Sequence, residues 1–256
     1  MTAIDAIDKI EPGDGIVFKY WGKDHEGIVT SVTMDPIDHR VGIIYIIHYA
    51  YKFPTTKTII DERFVFNLSL QTIRKKVYKI DVKLFDLATV VERARVRLGE
   101  GRHDRRNNNS RHLVEWAKVG NDSGMLVVDT YLHTNGSFLR IYNAYAWSDI
   151  ETGCILEYTY HGFKHHSVVT KIYKEADRIQ VIHYGFAHIV GTQSVVQEVI
   201  QLDFKTDNIR IYRCVPAFTH NEPDVVVEKA KGRLGEQRWS IATNSGLTFC
   251  MCCLFN

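Results

Sequence analysis

At 256 residues the chain is long enough for two domains, and 45% apolar with 24% charged residues is the make-up of a globular protein. A formal net charge of +2 argues for no particular partner. No basic-then-apolar leader is readable, no apolar run approaches the ~20 residues that span a bilayer, and the five cysteines lack a disulfide framework, so the expectation is a cytoplasmic chain, with peripheral membrane contact at most.

In chain order, short runs rich in Ile, Val and Tyr at residues 14–20, 27–33 and 41–50, bounded by Gly, Asp and Pro, predict strands. Residues 55–60 and 73–81 predict two more. Apolar residues at helical spacing over 82–98, stopped by Gly99, predict a helix. Residues 110–119 predict a second helix, with Leu113, Val114, Trp116 and Ala117 on its buried face. Seven arginines lie between Arg93 and Arg111. They read as a solvated helix face and loop, or as a contact for an anionic surface. Lipid head groups come before nucleic acid there, because no aromatic residue interleaves them for base stacking.

Residues 121–149 read as a connecting segment, too apolar for a free linker and so packed between or against the halves. Strands then return at 154–160, 167–173, 179–185, 193–202 and 208–214, and helices at 223–234 and 245–255. Strands first and helices last, in each half, predicts an α+β fold with a mainly antiparallel sheet packed on helices.

The two halves also share residues at matching intervals. Gly13, His25, His48 and Ser110 answer Gly153, His165, His183 and Ser245: glycine to first histidine spans 12 residues in both, and second histidine to serine 62 in both. The histidine-to-histidine interval is 23 against 18, as a loop of changed length between strands would make it. This is an internal repeat of domain length, with a first domain at 1–120, a connecting segment at 121–149 and a second domain at 150–256.

A histidine beside a hydroxyl or thiol at a helix N-terminus is what acyl transfer requires. The imidazole takes the nucleophile's proton, the helix N-terminus offers N–H groups to the oxyanion, and a second histidine orients the first. Serine is equally a favoured N-cap, as are Asn109 and Asn244, so a capping role stands beside the nucleophilic one. His103, His112, His161, His166 and His188 have no counterpart between the copies and read as surface or loop residues. Cys250, Cys252 and Cys253 lack the spacing and histidine partners of a zinc site. No metal and no cofactor are expected.

Gly13-Asp14 before a strand, His25-x-Gly27-Ile28 opening the next, Ile47-His48 in the third and Asn109-x-x-His112-Leu-Val before a helix resemble the lecithin retinol acyltransferase family. That family includes the HRAS-like suppressor phospholipase/acyltransferases and belongs to the NlpC-type, papain-like clan. The resemblance covers residues 10–119 well and 150–256 more loosely. It implies tandem permuted papain-like domains, with His25 and His165 as general bases and His48 and His183 as orienting histidines. It also implies an acyl lipid or phospholipid as ligand.

Ser110 and Ser245 fall where that family carries its nucleophilic cysteine. A thiol of pKa about 8.5 is readily activated, whereas a hydroxyl needs a base and oxyanion site in close alignment. Two function classes follow from the resemblance. One is a catalytically impaired acyl-lipid-binding or scaffolding protein. The other is an active acyltransferase or phospholipase A-type enzyme using Ser110, and Ser245 in the second half.

Overall fold

The computed structural model describes residues 1–52, 56–119, 127–133, 136–186, 193–215, 218–240 and 245–255. The chain forms two compact units, Met1–Leu126 and Val127–Asn256. It is α+β, and every strand pairing is antiparallel. Among the described residues no helix is long and apolar enough to cross a membrane.

The first unit carries strands β1 (Thr2–Ala3), β2 (Gly15–Tyr20), β3 (Lys23–Met34), β4 (Val41–Lys52), β5 (Thr56–Asn67) and β6 (Arg74–Lys75), ordered β1-β6-β2-β3-β4-β5 in one sheet. Helices α1 (Leu87–Val96) and α2 (Ser110–Lys118) follow. The second unit has β7 (Val127–His133), β8 (Gly136–Asn143), β9 (Ile155–Tyr160), β10 (Phe163–Tyr173), β11 (Arg178–Phe186), β12 (Gln193–Gln201) and β13 (Arg210–Cys214). Its sheet runs β7-β8-β13-β9-β10-β11-β12, and α3 (Pro223–Lys231) and α4 (Gly246–Leu254) close it.

The repeat holds at the level of pairing. Ile16 pairs Lys75 and Val17 pairs Arg74, as Leu156 pairs Ile211 and Glu157 pairs Arg210. β8 takes the place of β1, and β7 is an added edge strand. The stretch read as a connecting segment thus contributes two strands to the second sheet. A single-turn 3-10 helix at Trp147–Asp149 repeats the one at Ile7–Lys9.

Other boundaries moved for local reasons. The predicted strand at 73–81 shortens to β6, while the one at 55–60 lengthens into twelve-residue β5, fully paired with β4. The helix expected from 82 starts at Leu87, because Asp86 is its N-cap, accepting from Thr89 N–H, and Leu84 instead bridges to Val119. Gly13 sits at φ 91° where an added Cβ would lie 2.5 Å from the Leu87 carbonyl oxygen; Gly153, at φ 83°, stands in the same relation to Pro223. Glycine at both positions lets the strand entry press against the helix start.

Each unit encloses an apolar core. In the first, Ile7, Ile16, Phe18, Val29, Ile44, Ile46 and Ile73 pack together. In the second, Ile155, Val168, Ile182, Val226, Phe249, Cys250 and Cys253 do. Helix α2 is tied down by a buried ionic cluster at its approach: Arg97 donates to Glu100 at 2.7 and 2.9 Å and to Asn108 at 2.7 Å, and the Tyr49 hydroxyl donates to Glu100 at 2.6 Å. Arg97 and Glu100 are each 1% exposed. The second unit keeps Arg233, Glu236 and Tyr184 in the same arrangement.

Removing one partner of such a pair leaves the other charge buried. Glu100→Ala should lower unfolding free energy by about 3–5 kcal/mol in denaturant titrations at neutral pH, and adding Arg97→Met should restore part of it. A loss under about 1 kcal/mol would mean the cluster is solvated instead.

Candidate active site

The pairing of β3 with β4 ends at Ile28–Ile47, and the first turn of α2 meets the sheet beyond that point. There the Tyr49 N–H donates to Ser110 Oγ at 3.0 Å. His25 Nε2 lies 2.9 Å from the same oxygen and 3.0 Å from His48 Nδ1. His48 Nε2 in turn lies 2.9 Å from Glu62 Oε2 on β5. The His48 side chain is fully buried, with the rings of Phe18, Tyr20 and Phe64 centred 4.9–5.9 Å from its own. The three residues expected in the first half therefore converge, and a fourth, Glu62, joins them.

The second unit repeats the relay: His165 Nε2 to His183 Nδ1 at 2.6 Å, and His183 Nε2 to Glu198 Oε2 at 3.1 Å, with the Tyr160 hydroxyl donating to that carboxylate at 2.9 Å. Ser245 does not join it. Its oxygen takes up the Thr248 N–H at 3.3 Å and meets the Thr248 hydroxyl at 3.0 Å, as the N-cap of α4. The N-cap of α2 is Asn109, accepting from Arg111 and His112 N–H groups, and Ser110 is the first helical residue. Asn244 lies outside the described residues.

The helix registers explain this difference. Leu113, Val114 and Ala117 on α2 correspond to Phe249, Cys250 and Cys253 on α4 in burial, which sets Asn109 against Ser245 and Ser110 against Gly246. Pairing supports the same shift: His48 faces Ile60 across β4–β5, whereas His183 faces Val196 across β11–β12, one residue farther along. The equal serine spacing in sequence is therefore a coincidence of one residue, and the second unit has no side chain at the nucleophile position. A Cβ at Gly246 would meet nothing closer than the His166 carbonyl oxygen at 3.5 Å, so the position has room for one.

Burial dominates the electrostatics. It pushes His25 down to about 3, aided by the charges of His48 and Lys57, and His48 down to about 4. His165 falls to about 3 for the same first reason, helped by His183, and burial lowers His183 against the opposing pull of Glu198. All four rings are thus neutral at neutral pH, and two neutral rings carry two protons among four nitrogens.

An ionised carboxylate only accepts, so His48 Nε2, facing Glu62, carries one proton. His48 Nδ1 is then an acceptor, and the other proton sits on His25 Nε2. The single N–H of that nitrogen lies between His48 Nδ1 and Ser110 Oγ, and the lone pair of His25 is on Nδ1, away from the hydroxyl. Ser110 Oγ accepts the Tyr49 N–H and shares the His25 N–H with His48 Nδ1. Such a setting stabilises an anion already formed there but does not remove a proton from a neutral hydroxyl.

A cleft of about 470 Å³ opens beside Ser110 and His25, lined by Lys23, Lys57, His103, Arg105 and Arg111 among others. His103, expected on the surface, is half-buried there, 3.4 Å from the Lys57 ammonium. His112 closes the capping box of α2. His166 is bonded to the Tyr212 hydroxyl at 3.1 Å. His188 lies outside the described residues. Among the described residues no group of three or more His, Cys, Asp or Glu side chains is arranged to hold a metal ion. Compared with protein-family models, curated proteins and solved structures, the chain matches none.

Because the folded pKa values of these histidines lie below the ordinary 6.5, the unfolded chain takes up protons first on acidification. The stability they contribute is complete above about pH 6.5 and is lost as pH falls toward about 4. Denaturant unfolding should show stability falling through this window, with a shallower slope in His25→Gln/His48→Gln. An unchanged slope in the double variant would contradict the neutral-pair assignment.

Proposed function

We propose that the chain is an acyl-ligand-binding module built from two acyl-transfer-type sites whose catalysis is silenced. Its ligand class is an acyl lipid or phospholipid, with peripheral contact at a membrane face, as the family resemblance implies. The same proposal extends to the finer fold, two permuted papain-like domains of the lecithin retinol acyltransferase type. Support comes from the antiparallel sheet that presents two histidines and the helix whose first turn delivers residue 110 to them.

One observation carries the reading: His25 turns a single nitrogen, Nε2, toward both Ser110 and His48. With Glu62 holding the far end, that nitrogen donates. A cysteine here would lose its proton near neutral pH, and the two N–H groups would hold the thiolate. A serine hydroxyl does not ionise there and needs the lone pair this relay points elsewhere. In the second unit, Gly246 removes the nucleophile altogether.

The second reading, an acyltransferase or acyl hydrolase using Ser110, is favoured by the 2.9 Å contact between its oxygen and His25. Covalent labelling separates the two. A lipid-like fluorophosphonate should leave Ser110 unmodified, whereas Ser110→Cys and Gly246→Cys should each gain a thiol alkylated rapidly at neutral pH, slowed at least about tenfold by His25→Ala and His165→Ala respectively. Ser245→Cys should react as an ordinary, half-buried thiol with no dependence on His165. Stoichiometric adduct on Ser110, abolished by His25→Ala, would overturn the silenced reading in favour of the enzyme.

A further inference from the structure

The charges around the first unit's cleft are not balanced. Its two carboxylates are already committed: Asp24 to Lys19 at 2.8 Å and Arg74 at 2.6 Å, and Glu26 to Lys76 at 2.6 Å. Lys23, Lys57, Arg105 and Arg111 also line the cleft, and among the described residues none of the four is paired with a carboxylate. Lys57 is partly buried, its ammonium 4.7 Å from the Tyr51 ring centroid and close to His103. Four uncompensated cations converging on a concave surface, beside the N-terminus of a nine-residue helix, form a potential well for a negative group.

We propose that this cleft binds a net-anionic, phosphate-bearing ligand, the phosphate held by Lys57, Arg105 and Arg111 and the rest of the molecule lying toward Ser110. The assignment rests on the proposed acyl-ligand-binding function, and it sharpens that reading by placing the ligand in this cleft. Arginine forks match phosphate oxygens two at a time, and the lysine supplies a compact charge at the cleft wall. A zwitterionic head group would set its own cation against the same four positive side chains, so the site discriminates by net charge. The corresponding region of the second unit has a different character: His166 and Tyr212 flank Glu157, which also takes Lys164 at 2.9 Å. The anion site therefore belongs to the first unit.

Calorimetric titration of the full chain at low ionic strength, with dodecyl phosphate below its micelle concentration and with dodecylphosphocholine, tests the proposal. Dodecyl phosphate should bind at least about tenfold more tightly, and rising salt should weaken it. Lys57→Glu/Arg105→Glu should reduce binding on the order of tenfold or more, while Lys57→Arg/Arg105→Lys should keep most of it. The salt dependence of the unmodified chain gives a reading even if the charge-reversed variant fails to fold.

Flotation with phosphatidylcholine vesicles, with and without phosphatidylserine, distinguishes the sources. Binding of the monomeric phosphate without vesicle association supports a soluble phosphate ester; association only with the phosphatidylserine vesicles supports a lipid head group. Equal binding of the two detergents, binding indifferent to salt and charge reversal, or no binding to any of these probes would overturn the site. A fluorophosphonate adduct on Ser110 would refute silenced catalysis while leaving this binding result unaffected.

Discussion

The hydrogen bond that joins two buried neutral imidazoles holds only one of their two protons, and that limit organises the site of this protein. His48 and His183 are wholly enclosed by strands and aromatic rings, and burial keeps their rings from charging. Each must then satisfy both nitrogens with partners of opposite sense. Glu62 and Glu198 supply an acceptor at one end of each chain. Everything downstream, including which way the first histidine's N–H points, follows from that terminal carboxylate. The sheet serves this arrangement by carrying the three residues on β3, β4 and β5 in one unit and on β10, β11 and β12 in the other.

The same relay has different consequences for different atoms at its open end. A sulfur nucleophile is ionised before it attacks, so two N–H donors help it. An oxygen nucleophile is ionised during attack, so it needs a lone pair directed at its hydrogen. Ser110 meets donors. On the proposed reading the second unit lacks a nucleophile for another reason, since its helix presents Gly246 and spends Ser245 on capping. The chain thus holds two intact orienting networks and, in this account, no working nucleophile. The first unit also carries the cleft and the uncompensated positive charge on which the proposed anion site rests.

Much of this was legible in the sequence. The histidine pairs, the α+β order of elements and the antiparallel sheets followed from short β-branched runs, helical periodicity and the repeat itself. The serine correspondence was misleading for a physical reason: the β11–β12 pairing lies one residue farther on than its β4–β5 counterpart, and a matched interval of 62 hid the shift. Strand pairing and helix burial, with Leu113 against Phe249, expose it together. Glu62 escaped notice because it sits in a run of charged residues, Asp61-Glu62-Arg63, that looks like a solvated strand face. The strands β7 and β8 were hidden in an unmatched stretch, where no repeat partner marked them as part of the sheet.

The central claim is the direction of one hydrogen bond, and it is open to direct measurement. Nitrogen-15 NMR of the His25 imidazole at neutral pH reports which ring nitrogen carries the proton. The account predicts a neutral ring protonated at Nε2, switching to Nδ1 in Glu62→Gln, whose amide can donate to His48. A neutral ring protonated at Nδ1 in the unmodified chain would leave a lone pair facing Ser110, and would contradict the account.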